Sequence, residues 1–81
     1  MKVRVRFFAL ARELAEEREL EVELAEGATI AQLRQELRTA LPALAPIVGA
    51  LSFAIDDRYV DSNTSIPPSA IVDCFPPVSG G

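Results

Sequence analysis

Hydrophobic and polar positions alternate strictly over residues 2–8, KVRVRFF, with Val3, Val5 and Phe7 on one face and Lys2, Arg4, Arg6 and Phe8 on the other. A period of two marks a strand with one buried side. The period then changes. In residues 9–17, ALARELAEE, Leu10 and Leu14 lie four apart, which predicts a short helix with those leucines on its apolar side. Alternation returns over 19–24, ELEVEL, so Leu20, Val22 and Leu24 are expected to point inward and Glu19, Glu21 and Glu23 outward. The outward rows of the two strands carry opposite charge, which stabilises a cross-strand pair. They are therefore predicted to be antiparallel neighbours.

Glu26-Gly27 reads as a turn, and Thr29-Ile30-Ala31-Gln32 as a capping box that starts the main helix. That helix is predicted over about 30–41, with Ile30, Leu33, Leu37 and Leu41 as its apolar stripe, and Pro42 stops it. Residues 42–50, PALAPIVGA, are apolar but aperiodic and are expected to cover one end of the core. A third strand is predicted over 51–55, then a hairpin turn at Asp56-Asp57-Arg58 and a short fourth strand from Tyr59-Val60. Residues 61–69 carry turn chemistry around Ile66, a predicted buried anchor, and 70–75 form the last strand. On that strand Cys74 shares parity with Ala70 and Val72, the core face, while Phe75 shares parity with Ile71 and Asp73. The predicted class is α+β: one domain, residues 1–75, with a mixed sheet of about five strands, one main helix, a short helix and a tail, 76–81. One helix cannot cover both faces of a sheet, so the other face is expected to meet water. The arrangement resembles the ubiquitin-like β-grasp, and any strand order beyond the first pair comes from that resemblance alone.

Composition mainly removes possibilities. The formal charge of −4 argues against nucleic acid, which calls for a basic patch. No apolar run approaches a membrane span, and the N-terminus enters an alternating strand at once, so neither a membrane partner nor a signal peptide is expected. A single cysteine points to the cytoplasm. Without histidine the commonest general base is missing, and with one cysteine there is no Cys/His metal site. The Asp56, Asp57 and Asp61 cluster reads as a solvated turn, so no metal site is assigned. The sequence also has no Gly-rich phosphate loop. The chain is expected to bind no cofactor and to supply no catalytic side chains of its own.

The C-terminus, FPPVSGG, carries the candidate chemistry. Pro76 and Pro77 cannot continue a strand and hold φ near −65°, so they project the last four residues outward. Val78, Ser79, Gly80 and Gly81 complete a slender tip, and diglycine lets the backbone enter a narrow channel. The six residues past Phe75 reach roughly 20 Å when extended. This tail is expected to be flexible in the free chain. Its terminal carboxylate is a poor electrophile until adenylated. A sulfur nucleophile would then leave a thiocarboxylate, and an amine would leave an amide. Either route needs another protein's active site. Phe8, Tyr59 and Phe75 are the candidate docking residues at the foot of the tail.

The stretches FFALARELAEE and FPPVSGG resemble the small subunits of molybdopterin synthase within the MoaD/ThiS family of sulfur carriers. The resemblance runs through nearly the whole chain. The thiazole-pathway relatives usually lack the double proline, which tilts the resemblance toward molybdenum cofactor synthesis. The resemblance implies that an ubiquitin-activating-like adenylyltransferase, using ATP and magnesium, adenylates Gly81. The terminus then becomes a thiocarboxylate. Its sulfur passes to a cyclic pterin monophosphate in the large subunit of molybdopterin synthase. The resemblance also places partner contacts at Phe8, Tyr59 and Phe75. The chain departs from the family at Pro67-Pro68-Ser69-Ala70, Asp56 and Cys74, none of them in the tail. Three alternatives remain open: a carrier for thiazole synthesis or tRNA thiolation, a protein modifier joined through Gly81, and an interaction module with an inert tail.

Overall fold

The alternating N-terminal stretch forms strand β1, Lys2–Phe7, with Val3, Val5 and Phe7 buried and Lys2, Arg4 and Arg6 exposed. In the computed structural model, which describes residues 1–77, β1 pairs antiparallel with β2, Glu19–Glu23, as the charge rows predict. Arg4 stands opposite Glu21 and Arg6 opposite Glu19. Val22 is buried, while Leu20 and Leu24 are half-buried, and Leu24 lies just past the strand.

The structure corrects the short helix, α1. It spans Ala9–Ala15 rather than 9–17, and its buried residues are Ala11 and Ala15. Leu14 packs partly against the core, but Leu10 is 43% exposed. The chain passes from β1 into α1 through Phe8 alone, so the helix lies close against the sheet on its alanines. Glu16 ends it in the left-handed region at φ 57°, its N–H donating to the Arg12 carbonyl.

Helix α2, Ile30–Ala40, forms as its pattern predicts. Both halves of the capping box are present, and Ile30, Leu33 and Leu37 are fully buried. Leu41 is half-buried just beyond the helix end. The loop 61–69 runs past the start of α2, where the carbonyls of Thr64 and Ser62 accept the Ile30 and Ala31 N–H groups at 3.0 Å. Ile66, from the same loop, is buried in the core.

Residues 42–50 make two short 3-10 turns, Pro42–Leu44 and Val48–Ala50, which bury Leu44 and Val48. Strand β3, Ser52–Ile55, and β4, Arg58–Val60, form a hairpin whose two turn residues, Asp56 and Asp57, both have positive φ, 51° and 64°. Two such residues are what a tight, right-twisted hairpin turn requires. Strand β5, Ile71–Phe75, lies parallel to β1 and antiparallel to β3. The sheet order is β2-β1-β5-β3-β4, a β-grasp arrangement with the last strand in the middle.

One contact was not legible in the sequence. Arg34 of α2 sends Nη1 to the carbonyls of Val48 and Leu51, at 2.8 and 2.9 Å, and lies 5.1 Å from the Phe53 ring centroid. It fastens the turn before β3 to the helix. Arg34→Ala is expected to lower the unfolding free energy by about 2 kcal/mol, because it leaves two carbonyls without their charged donor. Urea denaturation would show a lower midpoint with unchanged slope. Arg34→Lys should restore only part of it. A loss below about 0.5 kcal/mol for the alanine variant would contradict this role.

Candidate functional site

The outer face of the sheet is built from the positions that alternate away from the core: Lys2, Arg4 and Arg6 on β1, Ile71, Asp73 and Phe75 on β5, and Tyr59 on β4. Phe8 continues the β1 row. Its N–H still donates to the Cys74 carbonyl at 3.1 Å, so it remains attached to β5 while the chain turns into α1. This places Phe8 beside Phe75, the last residue of β5 and the first before the tail.

The three predicted docking aromatics meet there. The rings of Phe8 and Phe75 stack at 4.9 Å with an interplanar angle of 15°. Tyr59 tilts against Phe75 at 5.8 Å and 55°. Phe75 is half-buried between the other two, Phe8 is 38% exposed, and Tyr59 is 72% exposed. Offset and tilted rings at these separations attract one another by roughly 1 kcal/mol beyond area burial. The cluster is therefore a preformed apolar surface. Pro76 and Pro77 leave from it, half-buried and exposed respectively. Val78, Ser79, Gly80 and Gly81 lie outside the described residues.

Sequence parity placed Asp73 outward, yet its residue exposure is only 9%. Arg6 covers it. Arg6 Nε donates to Oδ1 at 2.6 Å and Nη2 donates to Oδ2 at 3.0 Å, across the parallel ladder in which the two residues are direct neighbours. The hydrogen bond and then the charge of Asp73 push the Arg6 pKa up from its ordinary value; desolvation opposes them, and Glu19 and Asp57 add less than either. Charge pairing between β1 and β2 is present but loose: Lys2–Glu21 and Arg4–Glu19 stand at 3.8 Å with all four side chains exposed.

Cys74, the one sulfur nucleophile on the chain, is fully buried between the sheet and the core, as parity predicts. Burial pushes its thiol up to about 12, with Arg34 pulling weakly the other way. It is a packing residue. Asp61 accepts hydrogen bonds from the Asn63 N–H and the Thr64 hydroxyl, which makes it part of a turn. Among the described residues no group of three or more His, Cys, Asp or Glu side chains is placed to hold a metal ion, and no helix is long and apolar enough to cross a membrane.

The sequence matches the ThiS family over residues 5–81. It is 32% identical over 83 residues to the molybdopterin synthase sulfur carrier subunit of Chlamydomonas reinhardtii, with both chains covered completely. Among solved structures it is similar to the putative molybdopterin converting factor, subunit 1, from Pyrococcus furiosus, at TM-score 0.84 and 30% identity, over 95% of this chain and 98% of that one. It is similar to a chain of the complex of subunits 1 and 2 of molybdopterin-converting factor from Helicobacter pylori 26695, at TM-score 0.71 and 27% identity, with both chains covered completely. SAMP1 from Haloferax volcanii, at TM-score 0.86 and 24% identity with both chains covered completely, shares the fold.

A thiol raised on folding favours the folded state up to its ordinary value of 9.0, and that contribution is lost as pH climbs toward about 12. Over that interval the stability of the chain should fall more steeply than that of Cys74→Ala, by up to about 1.4 kcal/mol per pH unit. At pH 8, iodoacetamide should label Cys74 only after denaturation. Rapid labelling of the folded chain, or identical pH profiles for the two proteins, would contradict the packing role.

Proposed function

Because the chain belongs to the ThiS/MoaD family, we propose that it is the sulfur-carrying small subunit of a molybdopterin synthase, with Gly81 as the site that bears the sulfur. The observation that carries this reading is the stacked Phe8–Phe75–Tyr59 cluster at the foot of the tail. A carrier must hand one carboxylate to two different active sites. It needs a rigid surface that both partners can grip and a narrow arm beyond it. The domain supplies the first, and the PPVSGG segment supplies the second in its composition. The family match extends over residues 5–81.

The chemistry starts from the terminal carboxylate. Its oxygen attacks the α-phosphorus of ATP and pyrophosphate leaves, which gives an acyl-adenylate. A sulfur nucleophile at the hydrosulfide level attacks the acyl carbon and AMP leaves. The net change is one oxygen replaced by one sulfur, with no redox change at carbon. In the synthase the sulfur attacks a carbon of the pterin precursor, forming a carbon–sulfur bond as a carbon–oxygen bond at that carbon breaks and the oxygen leaves with its electron pair, as water or on the phosphate. Water then cleaves the bond between that sulfur and the acyl carbon and regenerates the carboxylate. ATP and magnesium belong to the adenylyltransferase, and the pterin belongs to the large subunit. This chain contributes docking through Phe8, Tyr59 and Phe75, reach through Pro76, Pro77, Val78 and Ser79, and a slender end at Gly80 and Gly81. The work takes place in the cytoplasm.

Intact mass after incubation with an adenylyltransferase, ATP and a sulfur donor tests this directly. The expected gain equals one oxygen exchanged for sulfur, placed on Gly81 by fragmentation and absent from a chain lacking Gly81. Placement matters because oxidation of Met1 or Cys74 adds almost the same mass. With an enzyme shown to be active, no gain would overturn the proposal. Attachment of the whole chain to lysines through Gly81 would identify a modifier instead.

A further inference from the structure

Arg6 differs from the other cations of the β1 row. Lys2 and Arg4 lean loosely toward β2, whereas Arg6 turns to β5 and is held by two hydrogen bonds to Asp73. A guanidinium is planar, so fixing Nε and Nη2 fixes Nη1 as well. Nη1 makes no hydrogen bond among the described residues, and the Arg6 side chain is 44% exposed while that of Asp73 is 12% exposed. The guanidinium carbon lies 6.0 Å from the Phe8 ring centroid. A pre-oriented pair of N–H donors therefore sits at the border of the aromatic cluster. Beside it is an open hollow lined by Arg6, Phe8, Arg12 and Arg18, together with glutamates near the α1–β2 turn. Arg12 and Arg18 form no ion pair among the described residues. The hollow has room for an incoming side chain; its walls carry three guanidinium groups and the carboxylates of Glu16, Glu17 and Glu19, so the unpaired donor of Arg6, rather than the net charge, selects an acceptor.

We infer that Arg6, held by Asp73, is the polar specificity contact of the docking face, and that its Nη1 donates to a carboxylate of the large synthase subunit as that partner settles on Phe8, Phe75 and Tyr59. The inference rests on the docking role proposed above. Stacked rings hold a partner but discriminate poorly, since many apolar surfaces fit them. A fixed donor beside the rings penalises any partner that buries it without an acceptor. Asp73 does not touch the partner in this scheme. It positions Arg6.

Truncating Arg6 alone would strand a buried carboxylate, so the test replaces both residues. In Arg6→Leu/Asp73→Leu the pair leaves together, and the fold is expected to hold, with a thermal midpoint near that of the wild type. Calorimetry of full-length chains against the large subunit should show binding about tenfold weaker or more at low salt. The gap should narrow as salt rises. Binding within about twofold of wild type would overturn the inference and leave the aromatic docking intact. No binding by the wild type would overturn the docking reading as well. Nitrogen-15 spectra of the wild type need no variant: the Arg6 Nη1 protons should become slowly exchanging in the complex. Exchange as fast as in the free chain would contradict the contact even if the double variant failed to fold.

Discussion

The parallel ladder between β1 and β5 joins the first and last strands of the chain at the middle of the sheet, and the meeting of Phe8 with Phe75 and of Arg6 with Asp73 depends on it. Val5 pairs with Val72 and Phe7 with Cys74 on the core side, and Arg6 pairs with Asp73 on the outer side. Two parallel strands cannot be joined by a tight turn. The chain must leave β1, build α1, β2, α2 and the β3–β4 hairpin, and return. The long return brings the C-terminus out between β1 and β3 rather than along an edge. The tail therefore starts from a strand paired on both sides, with Phe8 on one flank and Tyr59 on the other.

The two faces of β5 divide the work. Inward, Val72 and Cys74 are fully buried against the core that α2 closes with Ile30, Leu33 and Leu37. Outward, Ile71 and Phe75 remain available and Asp73 is covered by Arg6. Rigid packing below and an accessible aromatic surface above suit the proposed carrier role, in which partners grip the domain. The domain needs no acid, base or metal ligand of its own if its task is to present a terminus to partners that have them. Burial of Cys74 fits the same division, since it keeps the one cysteine of the chain away from the surface that the aromatics form.

Much of this was legible in the chain because the signals are local. Period two marked the strands, the Thr29–Gln32 box marked α2, and the consecutive Phe7 and Phe8 put one ring in the core and the next on the surface. The features that escaped depend on distant neighbours. Arg6 has Glu19 beside it on one strand and Asp73 on the other, 67 residues away. The acidic row of β2 looks like the natural partner until β5 is known to lie alongside. Parity likewise made Asp73 a surface residue, because no pattern shows that a side chain from the next strand will cover it. In α1 the leucines outweigh the alanines in hydrophobicity. The direct join to β1, which periodicity does not register, puts Ala11 and Ala15 against the sheet and leaves Leu10 outside. Nothing in the sequence marks Arg34, because its acceptors, the carbonyls of Val48 and Leu51, belong to a segment without a period.

In the proposed role sulfur travels on Gly81 and leaves the chain unattached to anything. The most direct test tracks the atom. The chain would be loaded with heavy-isotope sulfur as a C-terminal thiocarboxylate and given to the large subunit with the pterin precursor. A sulfur carrier requires the isotope to appear in the pterin product while the chain returns to a free carboxylate of its original mass. Isotope that stays on the chain, or chain that ends up linked to a lysine, would contradict it.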